Sequence, residues 1–199
     1  ILIILLIALV ALSSCTEDNT QESPRFDYTD QGAPALIMVV DNNDRANQQI
    51  EDIAFTSYKF ETIAIFSDIF GVPQDSLLDK DLNQILDLYG EPWQIKEIKA
   101  AASPYYKRIV TLTDESATSR NFVDSLQMLS DEGYSIDVVF SLHGNEQTIS
   151  FTDQRYLIES LTQELESKGI KIRVLYQTNC KSGRAIDNWS YMGVAGCNG

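Results

Sequence analysis

SIDVVFSLHG, residues 135–144, is the stretch on which the reading of this chain turns. Its apolar run is interrupted only by Asp137 and Ser141, and it stops at the single histidine of the chain, His143, followed by Gly144. A short, nearly continuous apolar run bounded by glycines is what a strand buried on both faces needs, and such strands belong to parallel sheets covered by helices. A second run of this kind, IKIRVLYQ at 170–177, delivers Cys180 within VLYQTNCKSG, residues 174–183. Between them Leu157, Ile158, Leu161 and Leu165 fall at helical spacing and Gly169 closes the segment. Strand, helix, strand predicts a parallel pair, because a parallel connection needs a crossover. If the two strands are neighbours they lie about 4.8 Å apart, and His143 and Cys180 both stand just past their carboxyl ends, where open α/β sheets bind ligands.

The same alternation extends upstream. ALIMVVD, 35–41, reads as the first and central strand, ending at Asp41. Residues 48–70 carry Ile50, Ile53, Ala54, Phe60, Ile63 and Ala64 at helical spacing, stopped by Gly71-Val72-Pro73. A shorter helix is predicted over 80–89 with Leu82, Ile85, Leu86 and Tyr89, ending before Gly90. KRIVTLT, 107–113, is the second strand, and Phe122, Leu126 and Leu129 mark the helix behind it, with Gly133 at its C′ position. TISFT, 148–152, suggests a small hairpin at the edge of the sheet. The expectation is an α/β fold, a three-layer α/β/α sandwich around a mostly parallel sheet.

The chain has 199 residues, 44% of them apolar, enough for one globular domain with a core. Fifteen basic residues stand against 29 acidic ones, a net charge of -14 with no basic stripe, which argues against nucleic acid as a partner. ILIILLIALVALSSC, 1–15, is an apolar stretch followed by small residues and Cys15. It is too short to span a bilayer and reads as a secretory signal whose Leu12-Ser13-Ser14-Cys15 resembles a bacterial lipobox. Cleavage before Cys15 would leave that cysteine lipidated. Starting without Met or a basic segment, the chain is expected to have its true start upstream. Residues 16–34 are polar and acidic and suit a tether, and the domain is expected to occupy 35–199. The acidic residues behind Cys15 resemble the surface-export signals of Bacteroidota lipoproteins, so the expected location is lipid-anchored to the cell envelope at the outer membrane, periplasmic or surface-exposed.

With Cys15 lipidated, Cys180 and Cys197 remain, too few for a disulfide framework, though one bridge between them would silence a nucleophile. A free thiol titrates near about 8.5, and an imidazole beside it can take its proton. Gly144 lets a substrate carbonyl approach, and its N–H together with that of Cys180 would hold a developing oxyanion. Lys181 and Arg184 are solvated charges or help lower a thiol pKa. Asp41 is a third candidate at the same edge, although such a residue more often caps a turn; no residue stands out that orients His143. Trp189 and Tyr191 either line a pocket or belong to the core. Cys180, Cys197 and His143 lack paired ligand spacing, and no EF-hand-like ligand series occurs, so no metal or other cofactor is assigned.

An apolar strand ending in His-Gly, followed across a helix by one ending in Cys, resembles the caspase-like cysteine peptidases, the group of caspases, metacaspases, gingipains and clostripain. TLTDESATSRNFVDSL, 111–126, adds to the likeness through its strand, Ala-Thr pair and amphipathic helix before the His strand, and Cys180-Lys181-Ser182-Gly183 matches a frequent Cys-x-Ser-Gly. The resemblance covers about residues 35–199 and implies a caspase-like sandwich and a cysteine endopeptidase. His143 would be the general acid/base and Cys180 the nucleophile of hydrolysis through a thioester, with a protein or peptide as substrate; some relatives require calcium. Two departures leave the residue preferred on the amino side of the cut open. Thr178 stands where metacaspases carry Asp, and Gln177 sits one position before the Gln of the caspase motif. WSYMGVAGCNG, 189–199, stops without the further strands and helices usual in that group, so truncation at the C-terminus is expected. The alternatives are a catalytically inactive surface lipoprotein that uses the same fold as a binding module, and a transpeptidase or amidase built on the same pair.

Overall fold

A computed structural model of the chain describes residues 32–41, 55–178 and 189. Among these lie the strands β1 (Pro34–Asp41), β2 (Arg108–Thr113), β3 (Ser135–Leu142), β4 (Thr148–Ser150), β5 (Arg155–Leu157) and β6 (Ile172–Gln177). The helices are α1 (Lys59–Phe70), α2 (Leu82–Ile85), α3 (Glu91–Ala102), α4 (Ser119–Asp131) and α5 (Ile158–Ser167). Four strands form one sheet in the order β2-β1-β3-β6, every pair parallel. Each crossover therefore carries helices, and the sheet is clothed on both faces.

Burial follows the pleat. Ala35, Ile37 and Val39 of β1 and Ile136, Val138, Phe140 and Leu142 of β3 pack beneath Phe122, Leu126 and Leu129 of α4 and Leu161 and Leu165 of α5. Leu36 and Met38, on the opposite face, meet Ile95, Ile98 and Ala102 of α3. Two covered faces explain why β1 and β3 are nearly continuous apolar runs rather than alternating ones. The result is a three-layer α/β/α arrangement about a parallel sheet. A smaller cluster of Phe55, Ile63, Leu77 and Ile85 joins α1 to the segment that follows it.

Three expectations are corrected. Gly90 does not end a helix: after α2 the backbone widens into a π turn, Leu86–Gly90, and continues directly into α3. Gly90 is there for packing, since a Cβ would meet Leu86 Cδ2 at 3.2 Å and Phe70 Cζ at 3.6 Å. Leu157 belongs to β5 and precedes α5, and it is exposed. The hairpin of β4 and β5 is a separate two-stranded antiparallel sheet, not an edge of the main one. The helix stops at Gly71, Gly133 and Gly169 are as expected, each in the left-handed region with φ of 68°, 77° and 68°. Of the helix predicted over 48–70, residues 48–54 lie outside the described residues, as do 1–31.

Asp137 interrupts the apolar run of β3 and is buried, and its partner comes from β6. Between Ile136 and Asp137 the β3–β6 register shifts, so that Ile172 and Val174 pair with consecutive residues and Arg173 is the extra one. This bulge aims the Arg173 guanidinium back across the strands. Nε donates to Asp137 Oδ1 at 2.7 Å, the second guanidinium nitrogen donates to Oδ2, and Tyr106 Oη donates to Oδ2 at 2.7 Å. A buried carboxylate is tolerated because all these donors converge on it. Arg173→Leu should leave it uncompensated and cost about 3 kcal/mol in urea unfolding, with most of the loss regained in the Asp137→Leu/Arg173→Leu double variant. Burial, and then the hydrogen bond to Asp137, push the Tyr106 phenol up to about 12 from 10.0. A raised phenol favours the folded state below the unfolded value, so stability should fall as pH rises from 10.0 through about 12, and less steeply in Tyr106→Phe.

Candidate active site at the carboxyl edge of the sheet

The described part of the site begins at one rung. Phe140 of β3 pairs with Gln177 of β6, and the Thr178 N–H donates to the Phe140 carbonyl at 3.0 Å. His143 stands three residues past Phe140, and Cys180 three residues past Gln177. The two strands that carry the candidate pair are thus direct neighbours, parallel, and in a register that offsets both candidates equally from a shared rung. Cys180 itself lies outside the described residues, as do Cys15, Lys181, Arg184, Tyr191 and Cys197. His143 is half-buried.

Local hydrogen bonding holds His143 and Gly144 in place. The His143 carbonyl accepts from the Ser150 N–H at 2.8 Å, and the Asn145 N–H donates to the Thr148 carbonyl at 2.9 Å. These two bonds flank an antiparallel bridge between Gly144 and Ile149. In a bridge of this kind the central pair does not exchange its own hydrogen bonds, so the Gly144 N–H is not spent on the hairpin. Asn145 Oδ1 accepts from the Gln147 and Thr148 N–H groups at 2.8 and 2.9 Å and tightens the turn. The end of β3 therefore runs into a braced hairpin.

Two further contacts tie that hairpin to the sheet. Asp153 accepts from the Ser119 N–H and hydroxyl at 2.8 and 2.9 Å, at the start of α4. Thr152 Oγ1 lies 2.7 Å from Asp41 Oδ2 and 2.7 Å from the Asp114 carbonyl. Asp41, buried and opposite Leu142 in register, thus sits one strand from His143 and engages the β4–β5 turn. Asp114 follows β2 with a positive φ of 47°, a conformation aspartate tolerates better than most residues.

A cavity of about 580 Å³ opens beside the end of β2, lined by Asp87, Glu91, Ile95, Lys99, Thr113 and Asp114 among others. It lies on the α3 side of the sheet, and His143 is not part of its wall. Burial, and then the nearby carboxylates of Asp41, Asp114 and Asp81, push the Asp87 carboxyl above the usual carboxylate range. The carboxyl edge therefore carries negative charge from three neighbouring elements. Among the described residues no group of three or more His, Cys, Asp or Glu side chains is arranged to hold a metal, and no described helix is long and apolar enough to cross a membrane.

No protein-family model matches the chain, and no curated protein matches it. The sequence placed His143 at the end of β3 and Cys180 beyond β6, as the structure has these strands, but gave no sign of Thr152 and Asp153, whose contacts depend on a hairpin folding back onto strand and helix ends. Charges inside otherwise apolar strands, Asp137 and Arg173, were a signal for the buried pair.

Because its raised value favours the protonated form on folding, Asp87 supports the folded state below 3.8 and loses that contribution as pH rises through its folded value. Asp87→Asn should accordingly raise the thermal midpoint at pH 7, with the gain shrinking as the pH is lowered below the ordinary carboxylate range.

Proposed function

We propose that the chain is a cysteine endopeptidase of the caspase-like kind, lipid-anchored through Cys15 to the bacterial cell envelope, with His143 and Cys180 as its catalytic pair. The observation that carries this reading is the β3–β6 register: neighbouring parallel strands, with both candidates the same number of residues past the Phe140–Gln177 rung. Without that pairing the two residues, separated by a helix in sequence, would have no reason to meet. The reading is further supported by Gly144, whose N–H the hairpin leaves uncommitted.

In the proposed reaction the His143 imidazole takes the Cys180 thiol proton, and the thiolate adds to the scissile carbonyl. The oxygen that becomes anionic is held by the Gly144 and Cys180 N–H groups. The amine departs with the proton from His143, leaving a thioester. Water, giving its proton to the same imidazole, then releases the acid and restores the thiol. Both half-reactions place a negative oxygen and a mobile proton at the edge where β3 and β6 end.

The test is hydrolysis of a peptide library, varied at the residue on the amino side of the cut, by the full chain under mild reductant. Cys180→Ala and His143→Ala should each lower turnover by about 10³-fold or more while circular dichroism remains that of the folded chain. Full turnover in either variant refutes the pair. Absence of turnover in the unaltered chain, with Cys180 unreactive toward alkylation, favours the binding module instead.

A further inference from the structure

The turn at 114–119, between β2 and α4, carries the pair Ala117-Thr118 singled out in the sequence, and the proposed mechanism gives it no role. Its shape is set locally. The Thr113 N–H donates to Ser116 Oγ at 2.8 Å, Ser116 Oγ donates to the Thr113 carbonyl at 2.7 Å, and the Ala117 N–H donates to the Asp114 carbonyl at 2.9 Å. Asp114 takes its positive φ of 47° inside this turn, a conformation that residues other than glycine adopt at a cost. Ala117 is fully buried. The turn therefore offers fixed backbone groups to whatever docks on it.

What docks there is the turn of the β4–β5 hairpin. The Thr152 N–H donates to the Ala117 carbonyl at 3.0 Å, and Thr152 Oγ1 stands 2.7 Å from the Asp114 carbonyl and 2.7 Å from Asp41 Oδ2. Asp153 accepts from the N–H and hydroxyl of Ser119, and Gln154 Nε2 donates to the same hydroxyl oxygen at 2.8 Å. Thr152, Asp153 and Gln154 are all exposed, so each of these bonds competes with water and adds only modestly to the stability of the fold. Their larger consequence is geometric. The hairpin ladder has three residues on each side, and so short a two-stranded ribbon is not stable by itself. Docking is what fixes it. From the docked end the chain runs back without slack: Phe151 is buried with its ring 5.7 Å from Phe122 and 5.9 Å from Phe140, and the Ser150 N–H before it holds the His143 carbonyl at 2.8 Å.

We infer that the turn at 114–119 is a cradle that fixes the backbone of His143 and Gly144 through the hairpin, making Thr152 and Asp153 positioning residues for the candidate site. The inference rests on the peptidase reading for what His143 and Gly144 do, and on the hydrogen bonds alone for how they are held. β1 lies between β2 and β3 in the sheet, so this coupling runs outside the ladder, from the end of one strand to the end of another that does not touch it.

The test is amide hydrogen exchange followed by NMR in the full chain, alongside peptide turnover. Thr152→Val keeps the size of the side chain and loses its hydroxyl, and Asp153→Ala removes both acceptors from Ser119. Each should speed exchange of the Ser150 and Asn145 amides, which bond to the His143 and Thr148 carbonyls, by about tenfold. The amides of Val138 and Phe140, within β3, should exchange as before. Turnover should fall by about tenfold or more in kcat with KM little changed. Thr152→Ser, which keeps the hydroxyl, should restore both readouts. Unchanged exchange at Ser150 and Asn145 in folded Thr152→Val overturns the cradle, as does faster exchange spread evenly over β3, the mark of simple loss of stability. Local loosening with kcat unchanged overturns the positioning role as well. Thr152→Val decides alone if Asp153→Ala does not fold. Turnover in the unaltered chain, with exchange and kcat unaffected by the substitutions, refutes the cradle and leaves the peptidase standing. Local loosening in a chain that cuts no peptide does the reverse.

Discussion

Parallel pairing of β3 with β1 on one side and β6 on the other is the constraint on which the rest of the molecule depends. A parallel ladder cannot be closed by a tight turn, so each connection must travel back over a face of the sheet, and a helix is the cheapest way to make that journey with its backbone groups satisfied. With helices on both faces, the strands between them must be apolar on both sides. This is why the inner strands show runs such as ALIMVVD and not the alternation of a half-exposed sheet. The exception, Asp137, is tolerated because the β6 bulge supplies Arg173 beside its buried carboxylate.

The same topology gathers polar groups at the carboxyl edge. Side chains within the sheet are committed to the two cores, whereas residues just past the strand ends are released from both. Asp41, Asp114, His143 and Thr178 all stand there, on four adjacent strands. The β4–β5 hairpin then braces this edge from outside the sheet, through Thr152 to the ends of β1 and β2 and through Asp153 to the start of α4. The backbone of His143, at the end of β3, is in this way held by main-chain bonds, the preorganisation that the proposed acid–base role would need.

Helix boundaries show where local signals fail. Gly71, Gly133 and Gly169 end helices because each adopts a positive φ that other residues resist. Gly90 has the same side chain and no such backbone; its role is to let Leu86 and Phe70 approach. From sequence the two uses of glycine are indistinguishable, since the difference lies in what packs against the Cα. The π turn that carries the chain from α2 into α3 has the same origin, for its widened geometry is settled by neighbours distant in sequence.

What the sequence by itself determined is the four strands of the main sheet and most of the helices, the parallel α/β class, and the candidacy of His143 at the end of an apolar strand. These follow from periodicity, which is local and survives without knowledge of contacts. Only the tertiary structure decided that β3 and β6 are neighbours with Phe140 opposite Gln177, that the hairpin leaves the main sheet to brace its edge, and that Trp189 is core and bonded to Gln177. Register, bulges and buried polar pairs depend on which side chains meet across a sheet, and that is a property of the packed chain rather than of any segment within it.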